Sequence, residues 1–197
     1  MDMRIFHVKS NKTLPIHEGS ILIASPLLHN YHFTRSVILM VAHDSDGSVG
    51  LTMNKRFSAR YTLNMMVPDL KDAAAIPVFS GGPMERDNLF FIHTLSSLEG
   101  SIPLGYGLYL NGDFESIKKY ILDGQPVEGH IRFFAGYSGW EYGQLQQEIE
   151  EDAWIIGQSN PLNFLKNQSA NFWKNCMNDL GNPYRMWAKY PQFPSLN

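Results

Sequence analysis

Two segments of the 197-residue chain gather side chains able to recognise or react. The first is Val49-Gly50-Leu51-Thr52-Met53-Asn54. At the two-residue period of a strand, Val49, Leu51 and Met53 share one face, and Gly50, Thr52 and Asn54 share the other. The apolar face suits a core. The small polar face leaves room for something to approach, or else is covered by a helix or left to solvent. The second segment is Gly136-Tyr137-Ser138-Gly139-Trp140-Glu141-Tyr142-Gly143-Gln144, continuing through Leu145, Glu148 and Ile149. It reads as a strand end, a glycine-spaced turn and a helix start, where α/β sheets commonly build ligand crevices. In that helix Gln144 and Glu148 stand one turn apart, opposite buried Leu145 and Ile149. Tyr137 and Trp140 add flat apolar surface with a polar edge. A plainer reading has Trp140 plugging the core and the glycines only making the turn.

Spacing argues against several more specific chemistries. Ser138 sits between glycines as in a nucleophile elbow, but that motif needs glycine where Trp140 stands. Asp44-Ser45-Asp46-Gly47 begins like a calcium loop, and the short turn leaves no place for the later ligands. His29 and His32 have no cysteine nearby to complete a zinc set. Gly81-Gly82-Pro83 is not followed by the Lys-Ser/Thr pair of a P-loop. No metal and no cofactor is expected. Were the chain an enzyme, Glu148, His43 or His93 would be its acid or base. A non-enzymatic binding or regulatory role is the leading expectation, with recognition of a small ligand or a protein partner.

Composition sets the frame for these segments. The chain is 44% hydrophobic and 18% charged, with 16 Gly and 11 Pro, which excludes disorder, collagen and coiled coil. Sixteen basic against 19 acidic residues leave a net charge of −3, so no whole-chain footprint for nucleic acid exists. A basic excess is confined to the tail from residue 153, and direct DNA binding is not expected. The longest apolar run, Val37 to Ala42, is far too short to cross a bilayer, and the N-terminus lacks the apolar core of a signal peptide. The lone Cys176 cannot pair within the chain and shares an apolar helical stripe with Phe172, Trp173, Met177 and Leu180. A cytoplasmic protein with a buried, inert thiol is the expectation.

The elements follow from periodicity and punctuation. Strands are expected at Ser20–Ala24, Val37–Ala42, Val49–Asn54, Ile76–Ser80, Leu89–Thr94, Tyr106–Leu110, Ile131–Ala135 and Ala153–Gly157. The second and third form a hairpin around His43 to Ser48. Asp113 is placed to cap a helix carrying Phe114, Ile117 and Ile121. Another helix spans about Gly143 to Glu151, Asn160-Pro161 starts a short one, and Ser169 caps a last one through Leu180. Hairpins mixed with helical crossovers predict an α/β (α+β-like) domain, a mixed and mainly antiparallel sheet with helices packed on it. One domain over residues 1–197 is expected, with 160–197 a helical C-terminal extension.

At these segments the chain resembles the bacterial YqgE/AlgH family. The resemblance rests on Gly19 to Pro26 with Phe33-Thr34-Arg35-Ser36-Val37, and on His43 with Gly47-Ser48-Val49-Gly50-Leu51 and Asn54. It continues in Val78-Phe79-Ser80-Gly81-Gly82-Pro83 with Leu89 to His93, and in Gly136 to Trp140 with Gly143-Gln144-Leu145, Glu148-Ile149 and Trp154. It implies a mixed sheet, sometimes described as a flattened barrel. Some family members carry the label of transcriptional regulator and others are uncharacterised; none brings catalytic residues to transfer. The candidate binding set is thus Asn54, Gly81, Gly82, Pro83, Tyr137, Gly139, Trp140, Gln144 and Glu148.

Overall fold

A computed structural model describes residues 14–28, 30–58, 60–157, 162–166 and 171–191. His29 and the helix starts expected at Asn160-Pro161 and Ser169 lie outside the described residues. The strands are β1 (Ile21–Ala24), β2 (Val37–Asp44), β3 (Gly47–Thr52), β4 (Val78–Ser80), β5 (Met84–His93), β6 (Ile102–Gly105), β7 (Leu108–Leu110), β8 (Ile131–Glu141) and β9 (Trp154–Gly157). The helices are α1 (Leu63–Met66), α2 (Phe114–Leu122), α3 (Gln144–Glu150), α4 (Leu162–Lys166), α5 (Phe172–Asp179) and α6 (Tyr184–Trp187). The sheet order is β6-β7-β5-β8-β3-β2-β1-β9, with β4 joined to β8 off that path. Every pair is antiparallel except β4 with β8. The expected mixed, mainly antiparallel sheet is thus present. Of the two forms the sheet was expected to take, it adopts the open one, since β6 and β9 stand at opposite ends of the order.

Local chemistry explains most elements. The apolar run opening β2 is buried on both faces, as its lack of alternation requires. β2 and β3 close through a tight turn in which the Asp46 amide donates to Asp44 Oδ1 at 2.8 Å. Asp113 caps α2, its carboxylate accepting from the Ser116 amide at 2.9 Å. β6 escapes a periodicity reading because Ile102-Pro103 contains a proline, which a sheet tolerates at an edge such as this one. Four-residue α1 and α6 are too short to show a helical period.

Three apolar clusters hold the layers. Leu39, Leu51, Met53 and Phe134 form one with Trp173 and Met177 of α5 and Trp187 of α6. Phe91, Phe133 and Val78 form another with Ile117 and Ile121 of α2. On the face opposite the first, Leu22, Ile38, Met40, Trp140 and Trp154 receive Leu145 and Ile149 of α3. Cys176 is buried in the first cluster, and burial, reinforced by the Asp179 charge, pushes its thiol up to about 12. At pH 8 the native thiol should therefore react with iodoacetamide about a thousandfold more slowly than a free cysteine, and at the ordinary rate in denaturant. Fast labelling of the folded protein, followed by mass spectrometry, would contradict the buried placement.

Candidate functional site

The two glycine-rich motifs meet at one point of the fold. The first half of β8 pairs with β4 along one edge, Val78 opposite Phe133 and Ser80 opposite Ala135, and with β5 along the other. Between β4 and β5 the chain must therefore pass across β8. It does so at Gly81-Gly82-Pro83, for Gly81 still donates to the Ala135 carbonyl while Met84 already pairs with Tyr137 on the far edge. A Cβ on Gly81 would fall well inside contact with the Gly136 carbonyl oxygen, and one on Gly82 inside contact with that of Tyr137. Gly136, at φ 72°, leaves the same gap from below, where a Cβ would meet the Met84 carbonyl oxygen at 2.5 Å. Ser138 seals the crossing, its hydroxyl donating to the Gly81 carbonyl at 3.1 Å and lying 3.5 Å from that of Thr52.

This placement corrects one expectation and decides between two alternatives that the sequence left open. Gly136 to Trp140 is not a turn into a helix but the second half of β8, which ends at Glu141. The turn is confined to Tyr142 and Gly143 before α3. The small polar face of β3 is closed rather than open: Thr52 is buried, and a Cβ on Gly50 would overlap Ile38. Asn54 lies beyond the end of β3 and braces the entry to β2. Its Oδ1 accepts from the Val37 amide at 2.9 Å and its Nδ2 donates to the Arg35 carbonyl at 2.8 Å. Both contacts satisfy backbone groups at a point where Arg35 has a positive φ.

Gln144 and Glu148 come together as the helical spacing predicts, and the fold adds Trp140 of β8 and a fourth residue that the sequence did not connect. Glu148 Oε2 accepts from the indole N–H of Trp140 at 2.9 Å and from that of Trp154 at 2.7 Å. Gln144 spans the joint, its Nε2 donating to Glu148 Oε1 at 2.9 Å and its Oε1 accepting from the Glu141 amide at 3.0 Å. The two indoles meet edge to face with centroids 5.9 Å apart, and both are buried, Trp140 at 5% exposure. One carboxylate thus ties α3 to β8 and to β9. Trp154 was visible as an aromatic six residues after Glu148, but only the fold brings β9 beside α3.

Over the opposite face of the hairpin lies a groove of about 530 Å³. Tyr137, Gly139, Trp140 and Gln144 of the candidate set line it. Ala42, Val49 and Gly139 are cross-strand neighbours and make its floor. Met84, delivered by the crossing, stands over Gly139, where a Cβ would approach its sulfur to 2.9 Å. Tyr137 packs its ring edge-on against Phe90 and donates its hydroxyl toward Glu85 at 3.4 Å; burial first, and then the Glu85 charge, raise the phenol above its ordinary value. Asp44, Asp46 and Glu141, all exposed, form the rim. Sequence reasoning missed Met84 and these acids, since they lie on three different strands and turns. Gly81, Gly82 and Pro83 border the groove through Met84, and Asn54 does not line it.

The acid and base candidates are occupied elsewhere. His93 is fully buried; Nε2–H donates to the Asn111 carbonyl at 2.7 Å and Nδ1 accepts from the Leu95 amide at 3.1 Å. That arrangement requires the neutral ring, and burial lowers its pKa against the opposing pull of the Asn111 carbonyl. His43 is exposed, with Nδ1 at 2.8 Å from the Ser48 hydroxyl. Among the described residues no group of three or more His, Cys, Asp or Glu is placed to hold a metal ion.

Comparison with known proteins bears on the fold and the family. A family model described as AlgH-like matches residues 21–185. A UPF0301 protein of Bacteroides fragilis is 46% identical over 98% of this chain and 97% of its own length. A second UPF0301 protein, from Bacteroides thetaiotaomicron, is 42% identical over 100% and 99%. The solution structure of the AlgH protein from Pseudomonas aeruginosa matches with a TM-score of 0.69 at 23% identity, covering 90% of this chain and 96% of that one. The crystal structure of protein DIP2367 from Corynebacterium diphtheriae matches with a TM-score of 0.74 at 22% identity, covering 90% and 94%. At these identities the two structures speak for the fold.

Proposed function

The chain belongs to the AlgH-like family, and on that premise we propose that it works by binding rather than by catalysis, with the groove beside the β8 crossing as its recognition surface. The observation that carries this reading is the groove itself, an apolar floor of Ala42, Val49 and Gly139 under an acidic rim. Such a surface suits a small ligand or a protein segment that presents an apolar body and a positive charge. The use of Glu148 and His93 as structural hydrogen-bonding groups supports recognition over turnover. The acidic rim also disfavours direct contact with DNA phosphates, so a regulatory role of the kind some family labels suggest would pass through a protein partner. On the same reading the protein acts in the cytoplasm, and residues 1–197 form one domain.

Glu141 and Asp46 are exposed, so reversing both to Lys should leave the fold intact. The wild type and the E141K/D46K variant, immobilised, would be exposed to cytoplasmic extract, and both protein and small-molecule eluates identified by mass spectrometry. Direct titration of the recovered molecule should then show binding weakened about tenfold or more in the variant, and weakened further by salt. Identical recovery and affinity in the two proteins would remove the groove from consideration.

A further inference from the structure

A buried histidine fastens the connection between β5 and β6. Residues 94–101 form neither helix nor strand, so their backbone groups bond to single neighbours instead of a ladder. The Leu95 amide donates to His93 Nδ1 at 3.1 Å. The Ser101 hydroxyl donates to the Leu98 carbonyl at 2.8 Å and lies 3.3 Å from His93 Nε2. Further on, the Glu99 carbonyl accepts from the Asp113 amide at 2.8 Å. Gly112 permits this close packing, since a Cβ there would meet Ser101 Oγ at 2.7 Å and the Glu99 carbonyl oxygen at 2.9 Å. Leu95 and Leu98 pack against the cluster of Phe91, Ile117 and Phe133. The imidazole thus joins the end of β5, the segment after it and, through the Asn111 carbonyl, the residue that follows β7.

Only the neutral ring makes these bonds. Nδ1 must offer its lone pair to Leu95 while Nε2 keeps its hydrogen for Asn111. A second proton would set an N–H against the Leu95 N–H, strand that amide and leave a charge on a side chain that is 0% exposed. The elements around the ring bring the following ionisable groups. β7 presents Tyr109, stacked on the imidazole with centroids 5.7 Å apart. The first turn of α2 brings Asp113 and Glu115, whose carboxylates hold Ser116 and Lys118. Glu99 is exposed. From β8 and its approach come two more. His130 is exposed, with Nδ1 at 3.2 Å from Thr94 Oγ1, and Arg132 stands opposite Ile92 and reaches the Met53 and Leu165 carbonyls on the other face of the sheet. Burial is the largest influence on His93 and lowers its pKa, outweighing the Asn111 carbonyl.

We propose that His93 is a proton-operated latch: neutral, it holds residues 94–101 against the sheet, and on protonation it releases them and exposes Leu95 and Leu98. In the released segment the ring returns to its ordinary value of about 6.5, above the native one, so the open form binds more protons. The closed form keeps its full advantage above about pH 6.5. It loses that advantage as the pH falls from there toward the native pKa, by up to about tenfold per pH unit.

Amide hydrogen exchange of the full chain at about pH 7.5 and 5.5, corrected for the intrinsic pH dependence of exchange, measures the opening. The opening constants at Leu95, Leu98 and Asp113 should rise about five- to tenfold at the lower pH. They should also be indifferent to dilute urea, because a local opening exposes little surface, whereas the amides of β2 should respond to it. His93→Gln keeps a donor toward Asn111 and takes up no proton, so its segment should exchange alike at both pH values. His130→Gln should leave the rise intact. Should His93→Gln fail to fold, nitrogen shifts of the wild-type ring decide: His93 should remain in the neutral Nε2–H form at about pH 6, where a free histidine is mostly charged. A ring already charged there, exchange unchanged between the two pH values, a rise that persists in His93→Gln or vanishes in His130→Gln, or a segment as urea-dependent as β2 would overturn the proposal.

Discussion

Gly82→Ala is expected to yield little folded protein. The added Cβ would overlap the Tyr137 carbonyl carbon and oxygen and crowd the Ser138 amide, all backbone atoms of β8. Overpacking against mobile side chains costs about 1–3 kcal/mol, and a collision with the backbone of a central strand leaves nothing free to yield. Relief would require lifting the crossing off β8, which breaks the Gly81 bond to Ala135 and the Thr52 bond to Gly81. A domain of ordinary stability, about 5–15 kcal/mol, has little margin for such a change. Gly139→Ala is the matched control, also on a close approach, but there the neighbours are the Met84 sulfur and the Tyr137 ring. Those can turn aside, and the loss should stay below about 1 kcal/mol. Circular dichroism and urea unfolding of the two variants would compare them. A Gly82→Ala protein as stable as Gly139→Ala would mean that the chain does not cross β8 as described.

Trp140→Ala is the second large effect, and it should appear as lost stability. Removing a buried indole of this size costs about 3–5 kcal/mol. It also takes one N–H donor from a half-buried carboxylate that holds α3 to two strands. Trp140→Phe separates the two contributions. It keeps the six-membered ring in the cluster with Leu145 and Trp154 and removes the hydrogen bond to Glu148, worth about 1.5–3 kcal/mol, together with the packing of the indole's smaller ring. Trp154→Phe should cost a similar amount, and the double variant should depart from additivity because both indoles share one oxygen. Urea midpoints of these four variants and the wild type provide the comparison. If Trp140→Ala left the midpoint unmoved, the indole would not be a core residue. The practical consequence is that Trp140→Ala is a poor probe of the groove, since a lost partner could reflect a lost fold. Charge reversal at the exposed rim avoids that confusion.

Within each segment, the sequence carried most of the local structure. The strand cores at β1, β2, β3 and β8, the cap at Asp113 and the i, i+4 pairing of Gln144 with Glu148 all follow from residues close in the chain. Short edge elements were less legible: β6 hides behind Pro103, and α1 and α6 have too few residues for a period to show. The segment from Gly136 to Trp140 misled for a physical reason. Glycines at that spacing signal a turn when read alone, whereas here they answer another piece of chain lying across the strand.

That difference separates what the sequence alone determined from what the tertiary structure decided. Periodicity, capping and punctuation are contacts between neighbours in the chain, and they sufficed for a mixed, mainly antiparallel α/β domain and for the polar-aromatic residues of interest. The partners of those residues were decided by contacts across long separations. Gly81 meets Gly136, Trp154 shares the carboxylate of Trp140, Met84 covers Gly139, and Arg132 reaches Met53 and Leu165. Each depends on which strands the sheet sets side by side, a choice made by burial of the whole apolar surface and not by any one segment.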